Sequence, residues 1–76
     1  MKSYNGHRNY NAWNIALWIG NDEGLYRFAL DCLKRAKNSP ERAARIFMQS
    51  FEGDKTPDGV PYTMLNVKLA LAGLLD

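Results

Sequence analysis

Cysteine and histidine each occur only once in this sequence, and each scarcity excludes a class of site. The single cysteine, Cys32, cannot form a disulfide within the chain or build a cysteine-based metal cluster. The single histidine, His7, lies in a polar stretch without metalloprotease-type spacing, so we expect it to be solvated. No run of about 18 apolar residues occurs, and the opening residues lack a secretory signal. We therefore expect a cytoplasmic protein that does not enter a membrane.

What the chain does contain is apolar residues at helical spacing. With 76 residues, 46% of them hydrophobic, it is long enough for one small domain. Apolar positions recur at i, i+3, i+4 and i+7 in four segments, and no sustained period-two run appears. We predict an all-α fold, a single compact domain of about four short helices, spanning approximately residues 9–19, 22–37, 40–51 and 63–75.

Capping residues predict where the helices begin and end. Asn9 is expected to cap the first helix and Gly20 to end it. Asn21, followed by two acidic residues, is expected to cap the second helix, and Ser39 with Pro40 is expected to begin the third. The segment 53–61 contains Thr-Pro-Asp-Gly and is predicted to form a turn.

No group of residues has the spacing that catalysis or metal binding requires. Cys32 falls on the apolar side of the second helix, where it is expected to be a small buried residue. Asp22 and Glu23 are better explained by helix capping than as an acid pair. The segment 54–59 imitates the start of a calcium loop, but Leu65 stands where the bidentate Glu belongs. We predict that the chain is not an enzyme and has no catalytic, metal-binding or cofactor-binding residue.

Three surfaces are candidates for binding a partner, and the first lies on the first helix. On a helical wheel Trp13 faces the core, while Trp18 shares the opposite side with Asn11 and Asn14. Tryptophan is the residue most enriched at interface anchors, and asparagine adds hydrogen bonds without a full charge. The alternative is that residues 3–8 of the same chain cover Trp18.

The second candidate surface is basic and lies on the second and third helices. Residues 27–45 hold six basic and two acidic side chains, a balance of +4. Its candidate binding residues are Arg27, Lys34, Arg35, Arg42 and Arg45. Such a surface suits an acidic protein or a nucleic-acid backbone, although two solvated helix faces explain the same counts.

The third candidate surface is the last helix, which is apolar around most of its circumference. The wheel places Leu65 and Leu71 in one wide apolar arc that includes Lys68, with Asn66 and Ala70 in a narrow strip opposite. When the apolar arc of a helix is wider than packing against one core requires, the excess is usually covered by another chain. We therefore expect a homodimer, or a complex with another protein, through this helix.

Two stretches resemble a known family. The segment 9–26 is similar to the N-Y-x-T-W-N-x-x-L-W-I-x-N-D-E-x-L-Y opening of small proteins encoded by bacteriophages, including cyanophages. Residues 56–60 match a T-P-D-G-V stretch found further along such proteins. Ala12 departs from this pattern, which usually has Thr. The resemblance implies a phage origin and action in the host cytoplasm, and it brings no reaction, cofactor or target with it.

Together these features predict a small phage-type accessory protein. Its expected role is to bind and modulate a host protein, as an inhibitor or adaptor of host defence or metabolism. The alternative is a small nucleic-acid-binding protein that uses the basic side of the second and third helices.

Overall fold

Four α-helices make up the computed structural model, which describes residues 9–75. They are α1 (Tyr10–Asn21), α2 (Glu23–Arg35), α3 (Pro40–Phe51) and α4 (Met64–Leu74). Helix accounts for 72% of the described chain, and no strand occurs in it beyond an isolated bridge between Lys55 and Pro61. The all-α prediction is confirmed. No helix among residues 9–75 is both long and apolar enough to cross a bilayer.

Side-chain caps define where each helix begins. Asn9 Oδ1 accepts from the Ala12 amide at 2.8 Å, and Ser39 caps α3 with Pro40 in its first turn, as predicted. The cap of α2 is Asp22 rather than Asn21, since Asp22 Oδ1 accepts from the Leu25 amide. The expected end at Gly20 is also wrong. The helix α1 continues through Gly20 and ends at Asn21, because the backbone at Asp22 is extended.

Each helix packs against the next in sequence, and α4 returns to pack against α1. The core between them contains fully buried side chains from every helix: Ile15, Ile19, Cys32, Phe47, Val67 and Leu71. Cys32 is thus buried, as the sequence predicts, and burial raises the pKa of its thiol. The neutral thiol is therefore favoured at this position.

The orientation of α4 differs from the prediction. Asn66 and Ala70, expected to face away from the core, are buried, and Leu71, expected at a partner surface, is fully buried. Leu65 is 59% exposed and Lys68 is also exposed. When a helix is apolar on all sides, its sequence gives little indication of which side faces the core. The inward side of α4 thus consists of Asn66, Val67, Ala70 and Leu71.

Both tryptophans are half-buried, which corrects the assignment of Trp13 to the core and Trp18 to the surface. The side of α1 that carries Trp18 is covered by the segment between α3 and α4. Asn14, predicted on the exposed side with Asn11, is 1% exposed, whereas Asn11 does lie at the surface. The proposed cover of Trp18 by residues 3–8 and the environment of His7 lie outside the described residues.

Candidate functional site: an aromatic groove beside a polar bridge

Residues 54–62 form a short hairpin between α3 and α4. The Thr56 amide donates to the Val60 carbonyl and the Tyr62 amide to the Asp54 carbonyl, at 2.8 and 3.0 Å. The Gly59 amide closes a turn onto the Thr56 carbonyl, and Gly59 has a φ of +88°, a conformation that favours glycine. The predicted turn is confirmed. The segment imitating a calcium loop is therefore a tight hairpin.

This hairpin is attached to α1 by four side chains, which we call the polar bridge: Asn14, Trp18, Thr56 and Asp58. Asn14 and Trp18 lie four residues apart, so they project from the same side of α1. Asn14 Nδ2 and Trp18 Nε1 both donate to Asp58 Oδ2, at 2.8 and 2.9 Å. The Thr56 hydroxyl donates to Asn14 Oδ1 at 2.7 Å and accepts from the Val60 amide at 3.1 Å.

The polar bridge satisfies a buried amide and fixes an indole ring. Asn14 uses both ends of its side chain, as an acceptor from Thr56 and a donor to Asp58. No buried side-chain nitrogen or oxygen among the described residues lacks a hydrogen-bond partner. The hydrogen bonds from Asn14 and Trp18 stabilise the ionised carboxylate and lower the pKa of Asp58. The bridge thus holds Trp18 against the hairpin in one orientation.

An apolar groove with a volume of about 450 Å³ opens beside the fixed Trp18 ring. Its walls come from α1, from the beginning of α2, from the end of α3 and from the hairpin. Six apolar or aromatic residues line it, namely Trp18, Leu25, Phe28, Phe51, Pro57 and Tyr62, together with Asp22 and Gly24. The volume falls within the usual range of ligand pockets, roughly 300–1,000 Å³.

The aromatic floor of this groove is continuous with the core. Phe47 is fully buried and stacks on Phe51 with ring centroids 4.7 Å apart. Phe28 lies 5.2 Å from Phe47, and Tyr62 lies 5.0 Å from Phe51. These contacts restrain the aromatic side chains that line the groove, so it is largely formed before any partner arrives.

The predicted partner-binding residues are dispersed over the molecule, and of them only Trp18 lines the groove. Asn14 is buried in the polar bridge beside it, and Asn11 is exposed elsewhere on α1. Leu65 and Lys68 are exposed on α4, whose first residue Met64 and C-cap Leu75 are 38% and 43% exposed as well. The burial of Leu71 removes one expected contact of a homodimer through α4.

On the basic surface, three of the five predicted residues are paired within their own helices. Arg27 contacts Glu23 at 2.8 Å, Arg45 contacts Glu41 at 3.4 Å, and Arg35 contacts Asp31 at 3.7 Å. These pairs are mostly exposed. Lys34 and Arg42 make no ion pair with any residue between 9 and 75.

Sequence reasoning missed most of the groove because its residues were assigned local roles. Asp22 was assigned to the start of a helix and Pro57, in the Thr-Pro-Asp-Gly stretch, to a turn. One signal was available. The two stretches that carry the family resemblance, 9–26 and 56–60, are the stretches that contact each other through the polar bridge.

The fold and the groove define a small helical domain with an aromatic surface cleft. Within residues 9–75 no group of three or more His, Cys, Asp or Glu side chains is placed to hold a metal ion. The chain belongs to a family of unknown function, DUF7249, whose pattern matches residues 1–74. No curated protein and no solved structure matches the chain.

Proposed function

We propose that this chain is a phage-type accessory protein that binds a host protein in the cytoplasm and modulates it by occupying part of its surface. The single observation that carries the proposal is the aromatic groove beside Trp18. Exposed apolar concavities of this kind are uncommon on small domains unless they bind something. The phage origin and the host compartment rest on the resemblance of residues 9–26 and 56–60.

The chemistry of the groove suits recognition rather than reaction. Its lining is mainly apolar and aromatic, and the one charged side chain, Asp22, caps α2. Aromatic side chains bury large areas with few rotatable bonds, which makes them effective anchors for a partner segment. The groove therefore favours a binding protein over an enzyme.

Glycines at two helix positions provide a test that leaves the core untouched. Gly24 lines the groove, and a Cβ added there would meet only Asp22 Oδ1, at an ordinary contact distance of 3.4 Å. Gly20 is an exposed residue of α1 outside the groove lining, and a Cβ there would meet nothing within 4 Å. Gly24→Gln should fill the groove, and Gly20→Gln is its matched control. Glutamine is also the better helix former at both positions.

The experiment is affinity capture from host lysate with the unmodified protein and both variants as bait. We expect Gly24→Gln to lose a partner that Gly20→Gln retains, with both variants folded by circular dichroism. Retention of every partner by Gly24→Gln would contradict a binding function for the groove. A partner lost with Gly20→Gln alone would move the interface to the other side of α1.

A second candidate function, nucleic-acid binding, rests on the two cations of the basic surface that form no ion pair within residues 9–75. These are Lys34 and Arg42, which are exposed, whereas the three paired arginines would first have to leave their acidic partners to contact phosphates. Binding of this kind weakens steeply with rising salt, and Lys34→Gln with Arg42→Gln should reduce that slope. Salt-independent binding would exclude it.

A further inference from the structure

The charge around the groove is negative. Asp22 lies in its lining, and none of the described residues that line it is a lysine or an arginine. Asp22 Oδ1 accepts the capping hydrogen bond from Leu25, while Oδ2 has no partner among residues 9–75. Burial raises the pKa of the Tyr62 hydroxyl, and the nearby carboxylates of Asp54 and Asp22 raise it further.

Nearby positive groups do not cancel this charge. The beginning of α2 carries a partial charge of roughly +0.5, which is smaller than the full negative charge of Asp22. Arg27, one turn into α2, is paired with Glu23 at 2.8 Å. Lys55 directly follows the acidic Asp54 in the hairpin and is not among the described residues that line the groove. An occupant of the groove therefore meets an uncompensated carboxylate.

Aromatic faces beside a carboxylate select for one kind of side chain. A guanidinium is planar and weakly hydrated, stacks on aromatic rings and donates hydrogen bonds to carboxylates. A neutral apolar occupant would desolvate Asp22 without giving it a partner, and an anionic occupant would be repelled by it. The lining of Trp18, Phe28, Phe51 and Tyr62 supplies the rings, and Asp22 supplies the acceptor.

We infer that the groove binds an arginine flanked by apolar residues on the surface of its protein partner. This inference rests on the proposed function, and it names the chemistry of the segment that the partner presents. In such a complex the aliphatic and aromatic contacts hold the apolar flanks, and Asp22 selects the cationic side chain between them. The partner surface is thus basic and apolar, which sets it apart from the acidic partner that the α2 and α3 cations would attract.

The test is a titration of the full chain, labelled with nitrogen-15, with two capped tripeptides. One is acetyl-Leu-Arg-Leu-amide, and the other replaces arginine with citrulline, which has nearly the same shape and no charge. Shifts of the Trp18 indole N–H and the Gly24 amide report occupation of the groove. We expect both signals to shift and the arginine peptide to bind about fivefold more tightly than the citrulline peptide.

Two variants separate the charge in the groove from the charge of the whole protein. Asp22→Asn keeps the helix cap, because asparagine caps as well as aspartate, but it removes the charge. It should bring the two peptides to within about twofold of each other. Glu41→Gln also removes one negative charge, but that side chain is 58% exposed, lies outside the groove lining and pairs with Arg45 on the basic surface. It should leave the preference for arginine intact.

Three outcomes would overturn the inference. Equal binding of both peptides at the groove would exclude selection of a cation, while leaving the groove as a binding site. Loss of the preference in Glu41→Gln as well as Asp22→Asn would assign it to overall charge. Absence of shifts at Trp18 and Gly24 with either peptide would exclude an arginine occupant. The proposed function fails by a different result, the retention of all captured partners by Gly24→Gln.

Discussion

At the scale of single residues, Asn14 has a structural role that its residue type does not predict. It is 1% exposed, and it accepts from Thr56 and donates to Asp58, residues 42 and 44 positions away in sequence. An asparagine beside other asparagines on a helix is usually solvated. Here the polar groups of the hairpin replace water, so a buried amide carries no unpaired atom.

Replacing Asn14 with alanine should therefore destabilise the protein by about 2 kcal/mol, because it leaves the buried Thr56 hydroxyl without its acceptor. The measurement is urea unfolding followed by circular dichroism. Asn11→Ala, on the exposed side of the same helix, is the control and should change the unfolding free energy by less than about 0.5 kcal/mol. Equal effects of the two variants would mean that the polar bridge contributes nothing to stability.

Asp58 should make stability depend on pH in the acid range. Its pKa in the folded protein is lowered from the ordinary value of 3.8 by hydrogen bonds from Asn14 and Trp18. A lowered pKa means that the ionised form stabilises the fold. Its contribution is complete above the unfolded value and is lost as the pH falls through the folded value.

The unfolding free energy of the unmodified protein should thus exceed that of Asp58→Asn at about pH 6, and the difference should shrink toward about pH 3. Urea unfolding across this range measures it. The same comparison made in an Asn14→Ala background should show a smaller dependence on pH, because one of the two hydrogen-bond donors to Asp58 is then missing. A difference that grows on acidification would reverse the assigned sign.

At the scale of helices, local rules predicted the positions of the elements but not all of their orientations. Asn9 and Ser39 were identified as caps because a capping bond joins residues only three apart. The polar bridge joins residues 40 to 44 positions apart, and nothing in the composition of either stretch indicates that they meet. The inward side of α4 was predicted wrongly for a different reason. Its apolar residues surround the helix axis, so a helical wheel does not show which side is buried.

The corrected orientation of α4 predicts which leucine the fold needs. Leu71 is fully buried and Leu65 is 59% exposed. Leu71→Ala should lower the unfolding free energy by roughly 2–5 kcal/mol, and Leu65→Ala should lower it by less than about 1 kcal/mol. Thermal or urea denaturation of both variants measures the two losses. The reverse order would restore the orientation expected from the helical wheel.

At the scale of the whole molecule, charge and shape divide the surface into two parts. The basic side chains of α2 and α3 form one part, where three of the four arginines are paired with acids in the same helix. The other part is the groove, where Asp22 lies in the aromatic lining and Asp54 lies near Tyr62. A nucleic acid would be attracted to the first and repelled from the second. A partner that presents arginine would be attracted to the second, so the two proposed functions use separate surfaces.

The burial of Leu71 and Ala70 also changes the expectation for self-association. A stable interface covers about 800 Å² on each partner. On α4 and its C-cap only Met64, Leu65 and Leu75 stand out among the described residues as exposed large apolar side chains, at 38–59% exposure. We therefore expect a mass of 8.7 kDa by light scattering at tens of micromolar. A dimeric mass that Leu65→Asp converts to a monomer would instead establish α4 as the homodimer interface predicted from the sequence.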